Sequence, residues 1–520
     1  MAIQTDTRAA GVLLPVFSLP SPYGIGCFSK EARTFIDLLA AAEQQYWQIL
    51  PIGPVGGFNS PYQPRSCFAG EPLFIDPEAL AAKGLLTDDD LFTAAEWDFS
   101  DSRVDYHRVF PVRRRLLEAA FQRFQEQSLS GASADDHPAA VSFRDFCHEH
   151  ADWLPDFALF EALTEHFGTN SWYEWPEPIR MRKPASLQYW KNKLADEIEY
   201  HMWLQYEFSL EWEDLKEYAH SRGIRIIGDI PIYTSLECTD VWVHRDLFQL
   251  EEDCQPANVS GAPPDAFSPT GQIWGNPLYD WDRMKKDGYS WWIRRLAHMF
   301  KLYDVVRLDH TRGFESYFSI PADAEDAGLG HWEKGPGLDF FHVVNRALDD
   351  PDLIAEDLGD ITPEVIQMVK DAGLPGMKIL QFAFDSDSKN PYLLENFGPQ
   401  SVVYTGTHDN DTTIGWYTGL PASRKVTVTS YLRSHYGIYD SARAPLFSAA
   451  SASSLLIELA FRSSAAICVI PLQDHLQLDS SSRINGPGTI SQNWEWRLAP
   501  NAFDRTKAAR IAELSRRYGR

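Results

Sequence analysis

What this chain of 520 residues lacks narrows its chemistry before any motif is considered. Cysteine is scarce: there are six, scattered, with no CxxC pair and no metal-type spacing. That usage excludes a disulfide framework and suits a reducing cytoplasm, the expected location. No uninterrupted apolar run is long enough to cross a bilayer, and the opening MAIQTDTRAAG shows no charged-then-apolar leader. Positive charge is in deficit, 47 Lys and Arg against 73 Asp and Glu for a net charge of −26, and no basic cluster carries interleaved aromatics. Neither nucleic acid nor an anionic membrane is therefore an expected partner, whereas a neutral substrate meets no electrostatic penalty. Gly24 and Gly26 lack the third glycine of a dinucleotide loop, and Pro20 and Pro22 make that segment irregular. The CHEH at 147–150 places its histidines two apart, off a common helix face, and no HExxH occurs. No cofactor and no metal are expected.

What is present is an apolar fraction of 44% and an aromatic fraction of 13% with 17 Trp, enough for a large core. Eight short β-branched or apolar runs stand out, bounded by glycine, proline and polar residues. They fall at 11–17 (GVLLPVF), 46–52 (YWQILPI), 225–233 (RIIGDIPIY), 305–310 (VVRLDH), 353–358 (LIAEDL), 377–384 (MKILQFAF), 401–410 (SVVYTGTHDN) and 466–474 (AICVIPLQD). Helix-period segments separate most of them, and strand–helix alternation eight times over predicts an α/β fold, a (β/α)8 TIM barrel. The chain exceeds a minimal barrel. Residues 1–75 and 224–520 are expected to form it, with a mainly helical insertion at 76–223.

The run at 304–313, DVVRLDHTRG, is the most informative. Arg307 and Asp309 point the same way along a strand, and a guanidinium beside a carboxylate favours the ionised acid that a nucleophile must be. An ion pair closing an ordinary core strand would look the same; recurrence separates the two. Asp229, Asp309, Glu356, Asp409 and Asp474 all fall at C-terminal strand ends, where barrels carry their chemistry. Glu356 and Asp357 must face opposite ways, and their order alone leaves open which one faces the pocket. The loop at 53–64 offers Ser60 and Tyr62 to the same rim. The connection at 259–276, rich in Gly and Pro, is expected to be irregular and to present Asp265, Phe267 and Trp274 to a ligand. The Asp and Asn residues at 409–411 do not form an EF-hand loop, since the glycine falls one place late and position twelve is Leu420.

Taken jointly and in order, RLDH (307–310), AEDLG (355–359) and THDND (407–411) resemble the 4-α-glucanotransferase family, also called amylomaltase or disproportionating enzyme. The resemblance extends through LPSPYGIG (19–26), WQILPIGP (47–54), NSPYQP (59–64), GDIPIY (228–233), GAPPDAFSPTGQIWGNPLYDW (261–281), PLQD (471–474) and PGTISQNWEWRL (487–498). It implies α-1,4-glucans and malto-oligosaccharides as partners and a retaining mechanism. Asp309 would be the nucleophile, Glu356 the general acid/base and Asp409 the transition-state carboxylate, which decides between Glu356 and Asp357. Tyr62, Asp229, Arg307, His310 and His408 would surround the attacked sugar, with Trp274 an acceptor-side platform. Ser60, Asp265, Phe267, Phe382 and Asn485 complete the candidate substrate contacts. VFSLP near the N-terminus, Cys27 and Thr311 depart from the family's pattern, away from the three acids. An α-glucan hydrolase using the same acids is the nearest alternative, and a lyase using the rim acids as Mg²⁺ ligands a more distant one.

Overall fold

The computed structural model describes residues 8–95, 99–129, 138–264, 270–437, 446–489 and 491–520. Its twelve strands are β1 (Ala9–Leu13), β2 (Tyr46–Gln48), β3 (Arg225–Ile230), β4 (Asn258–Ala262), β5 (Gln272–Pro277), β6 (Val305–Leu308), β7 (Ser316–Pro321), β8 (His331–Lys334), β9 (Leu353–Ala355), β10 (Gly376–Ile379), β11 (Ser401–Tyr404) and β12 (Ile467–Pro471). Eight of them close into a parallel barrel in the order β1-β12-β11-β10-β9-β6-β3-β2. Each coincides with a run predicted from sequence, but the strands are shorter. They stop where a proline or the polar rim removes the next ladder bond, as at Leu13 before Pro15 and Gln48 before Pro51.

Side-chain alternation explains why these runs are apolar on both faces. Leu13, Ile227, Val305, Ile354, Met377, Val402, Tyr404 and Val469 pack together in the barrel interior. Their neighbours Val12, Ile226, Val306, Leu308, Leu353, Ala355 and Val403 join the surrounding core. Gly228 belongs to the outer set because a Cβ there would meet the Tyr303 ring at 2.1 Å. One step further along the interior face come Asp229, Arg307 and Glu356, and a step beyond Arg307 comes Asp309. The same period that fills the barrel thus aims four charged groups at its C-terminal mouth.

Three connections are elaborated. Between β2 and β3 the described residues form helices, turns and isolated bridges at Val55–Pro64 and Arg103–Trp496, ending in the helix Ala195–Ser221, whose Trp203, Phe208 and Trp212 are buried. The other connections, after β3 and after β6, supply an antiparallel sheet in the order β5-β4-β7-β8. This corrects the expectation of an irregular loop at 259–276: β4 and β5 pair as a hairpin, with a register shift between Val259 and Gly261. Glycine there permits the pairing, since a Cβ on Gly261 would sit 2.2 Å from the Gln272 carbonyl oxygen. Asp265 and Phe267 lie outside the described residues.

Candidate active site

At the mouth, β6 and β9 run parallel with Leu308 opposite Ala355, so the next residues out bring Asp309 and Glu356 alongside one another. The Glu356 N–H donates to the Leu308 carbonyl at 3.0 Å and the Asp309 N–H to the Ile230 carbonyl at 3.0 Å, fixing both backbones to neighbouring strands. Arg307, buried below them, donates through Nη1 to both oxygens of Asp229 (2.9 and 2.7 Å) and to Asp309 Oδ1 (2.9 Å). Tyr62 closes the chain, its hydroxyl donating to Asp229 Oδ2 at 2.7 Å.

Among the described residues no cation is bonded to the glutamate. Its Oε2 accepts the His310 N–H at 2.6 Å and its Oε1 the Leu358 N–H at 2.9 Å. Burial, and then the charge of Asp309, push its carboxyl up to about 8 against the pull of Arg307. Asp309 is also raised, by burial first and then by Asp409, while the Arg307 guanidinium draws it down. Asp357 faces away: its Oδ1 accepts the Met377 N–H at 2.7 Å and its Oδ2 faces Lys378 Nζ at 3.4 Å. The alternative that the residue order left open is resolved by this alternation.

Asp409, with 43% of its side chain exposed, follows the end of β11. Asn485 Nδ2 donates to its Oδ1 at 2.6 Å, and Arg483 Nη2 donates to its carbonyl at 2.6 Å. His408, buried beside it, stacks on Tyr62 with centroids 5.1 Å apart and planes 13° from parallel. Trp494 leans on both rings, 5.6 Å from Tyr62 and 5.9 Å from His408. Burial lowers both site histidines, His310 to about 4, so both rings are neutral near pH 7. His408 Nδ1 and His310 Nε2 have no hydrogen-bond partner among the described residues. His310 takes a left-handed conformation, φ +47°, and meets the Trp274 ring edge-to-face at 4.9 Å.

Asp309, Glu356, Asp409, Tyr62, Asp229, Arg307, His310, His408, Trp274 and Asn485 are thereby brought together around one mouth. Ser60 lies one step behind, its Oγ accepting the Tyr62 N–H at 3.3 Å. Phe382 follows β10 and packs against Tyr392 at 5.6 Å, on the Glu356 side. Asp474 stands just past the end of β12, as expected of a fifth rim acid, but it is buried and its oxygens are taken by Thr405 and Thr413. Trp494 and Arg483 were not singled out from sequence; the left-handed backbone that aims Trp494 at Tyr62, φ +63°, has no residue signature.

A family model described as 4-alpha-glucanotransferase matches residues 14–502. The chain belongs to the 4-alpha-glucanotransferase family. The 4-alpha-glucanotransferase of Clostridium butyricum is 41% identical over 510 residues, 97% of this chain and 99% of that one. That of Thermus thermophilus is 42% identical over 512 residues, 98% of each. Among solved structures, the amylomaltase from Streptococcus agalactiae in complex with acarbose superposes with a TM-score of 0.91 at 35% identity, covering 99% of this chain and 100% of that one. The chain is accordingly a 4-alpha-glucanotransferase enzyme. No described helix is long and apolar enough to cross a membrane.

Proposed function

We propose that the enzyme moves α-1,4-glucan segments from a donor malto-oligosaccharide to the 4-hydroxyl of an acceptor by two displacements at Asp309. The observation that carries this is the asymmetry between adjacent carboxyls: Asp309 bonded to a guanidinium, Glu356 without a cation and pushed to about 8. A protonated acid beside an ionised nucleophile is the retaining pair. Asp309 attacks the anomeric carbon while Glu356 protonates the departing oxygen, leaving a glycosyl ester. Glu356, now a carboxylate, takes the proton of the acceptor hydroxyl as that oxygen displaces Asp309, restoring the α configuration. Asp409, oriented by Asn485, holds the sugar as positive charge develops at the anomeric carbon. The neutral imidazoles of His310 and His408 offer their unpartnered nitrogens to sugar hydroxyls, and Tyr62, Phe382 and Trp274 offer ring faces.

Transfer and hydrolysis differ only in which oxygen reaches the ester. Trp274 sits on β5, beside His310, and the β4–β5 hairpin carries it over the mouth. An aligned sugar held there gains on the order of 10⁵ M in effective concentration, enough to outcompete water. Chromatography of products from maltotriose tests the proposal. Glucose and maltopentaose appearing first mark transfer; glucose and maltose with no longer chain mark a hydrolase. Full activity after exhaustive chelation removes the Mg²⁺-dependent alternative.

A further inference from the structure

We propose that Cys67, Cys238 and Asp240 bind one thiophilic divalent cation of the zinc class, as a structural staple between the connections that follow β2 and β3. All three side chains are buried, and their donor atoms lie within 4.8 Å of one another. Cys238 Sγ is 3.5 Å from Asp240 Oδ2. With metal–sulfur and metal–oxygen bonds of about 2.3 and 2.0 Å, the sulfur–oxygen edge of a tetrahedron is also about 3.5 Å. The carboxylate is already oriented as a ligand would be: Trp291 Nε1 donates to Oδ1 at 3.2 Å and the Cys67 N–H to Oδ2 at 2.8 Å. The Thr239 N–H donates to the Arg65 carbonyl at 2.8 Å, so the two segments already touch. Charge balances as well. Two thiolates and a carboxylate carry −3, the cation +2, and the buried Arg295, within electrostatic reach of all three, +1. A water completes the coordination, and two thiol protons leave on binding. Cys67 lies five residues beyond Tyr62, so the staple steadies the loop that carries this ring without touching the reacting atoms.

Titrating the reduced, chelator-stripped full-length protein with Co²⁺ tests the site. The expected result is a thiolate-to-cobalt charge-transfer band with the visible bands of a tetrahedral ion, saturating at one equivalent and bleached by Zn²⁺. Cys238→Ser and Cys67→Ala should each weaken binding more than about tenfold. Cys147→Ser, next to His148 and away from the cluster, should leave it unchanged. Zn²⁺ should raise the melting temperature of the wild type and of Cys147→Ser, but not of the two ligand variants. No thiolate band in the wild type, or a band that survives both ligand substitutions, overturns the proposal. So does finding Cys67 and Cys238 joined as a disulfide in the isolated protein, two thiols short of six in a denatured thiol count.

Discussion

The rim after β9 and the rim after β12 each hold a buried carboxyl at a strand's C-terminal end, and the two differ in what surrounds them. Burial raises Glu356 and Asp474 alike. Asp474 then meets three neutral donors: the Thr405 hydroxyl at 2.6 Å, the Thr413 hydroxyl at 2.6 Å and the Thr413 N–H at 2.7 Å. They draw its carboxyl down against that burial and tie three segments together. Glu356 accepts two backbone N–H groups and faces a second acid, Asp309, whose charge Arg307 favours. A buried strand-end acid is therefore a strut or a proton donor according to its neighbours.

The largest expected effect separates the two rims by activity. Asp309→Asn should lower kcat/KM by about 10⁴-fold or more, and Glu356→Gln by about 10²–10⁴-fold. Asp474→Asn should cost less than about tenfold in rate while losing about 1–3 kcal/mol in urea unfolding, because one threonine donor loses its acceptor. Equal losses of rate at Glu356 and Asp474 would erase the distinction. Arg307→Met comes next, since it strands Asp229 as a buried charge; it should destabilise the fold by about 3–5 kcal/mol, and Asp229→Asn in the same chain should restore part of that.

The pH profile sharpens the comparison further. Glu356 must hold a proton to act as acid, so kcat/KM should fall as pH rises through about 8, and Asp474→Asn should leave that limb in place. Stability follows the same group. Its folded-state value lies above the ordinary value of about 4.3, so its contribution is full below that pH and is lost as pH rises through about 8. Glu356→Gln should consequently melt higher than the wild type at pH 9, with the gap closing toward pH 4, as calorimetry can record. The smallest effect is at the hairpin: Trp274→Ala should raise glucose release relative to transfer severalfold, read from the same chromatograms.

Much of this was legible in the sequence because parallel strands buried on both faces must be apolar runs, and all eight barrel strands were. Their ends were not legible, since the ladder stops where tertiary partners do. Gly261 looked like a breaker of regular structure and proved to be what lets β4 approach β5. The rim acids were visible as residues, but whether an acid faces the cleft depends on alternation that starts upstream: Ile354 inside the barrel puts Glu356 inside and Asp357 out. That Asp474 would be tied down was not legible, because its two threonines come from β11's far end and the helix Thr413–Gly419, remote in sequence. Trp494 and the Cys67–Cys238–Asp240 cluster depend on loops meeting across the rim, for which one chain of letters holds no period.

The most direct measurement is mass spectrometry of the Glu356→Gln variant quenched during reaction with α-maltosyl fluoride, a donor whose leaving group needs no acid. The account predicts a chain heavier by one maltosyl unit, with the ester on Asp309 within the peptide spanning 305–312. An ester on any other residue, or turnover with no covalent adduct at all, would contradict it.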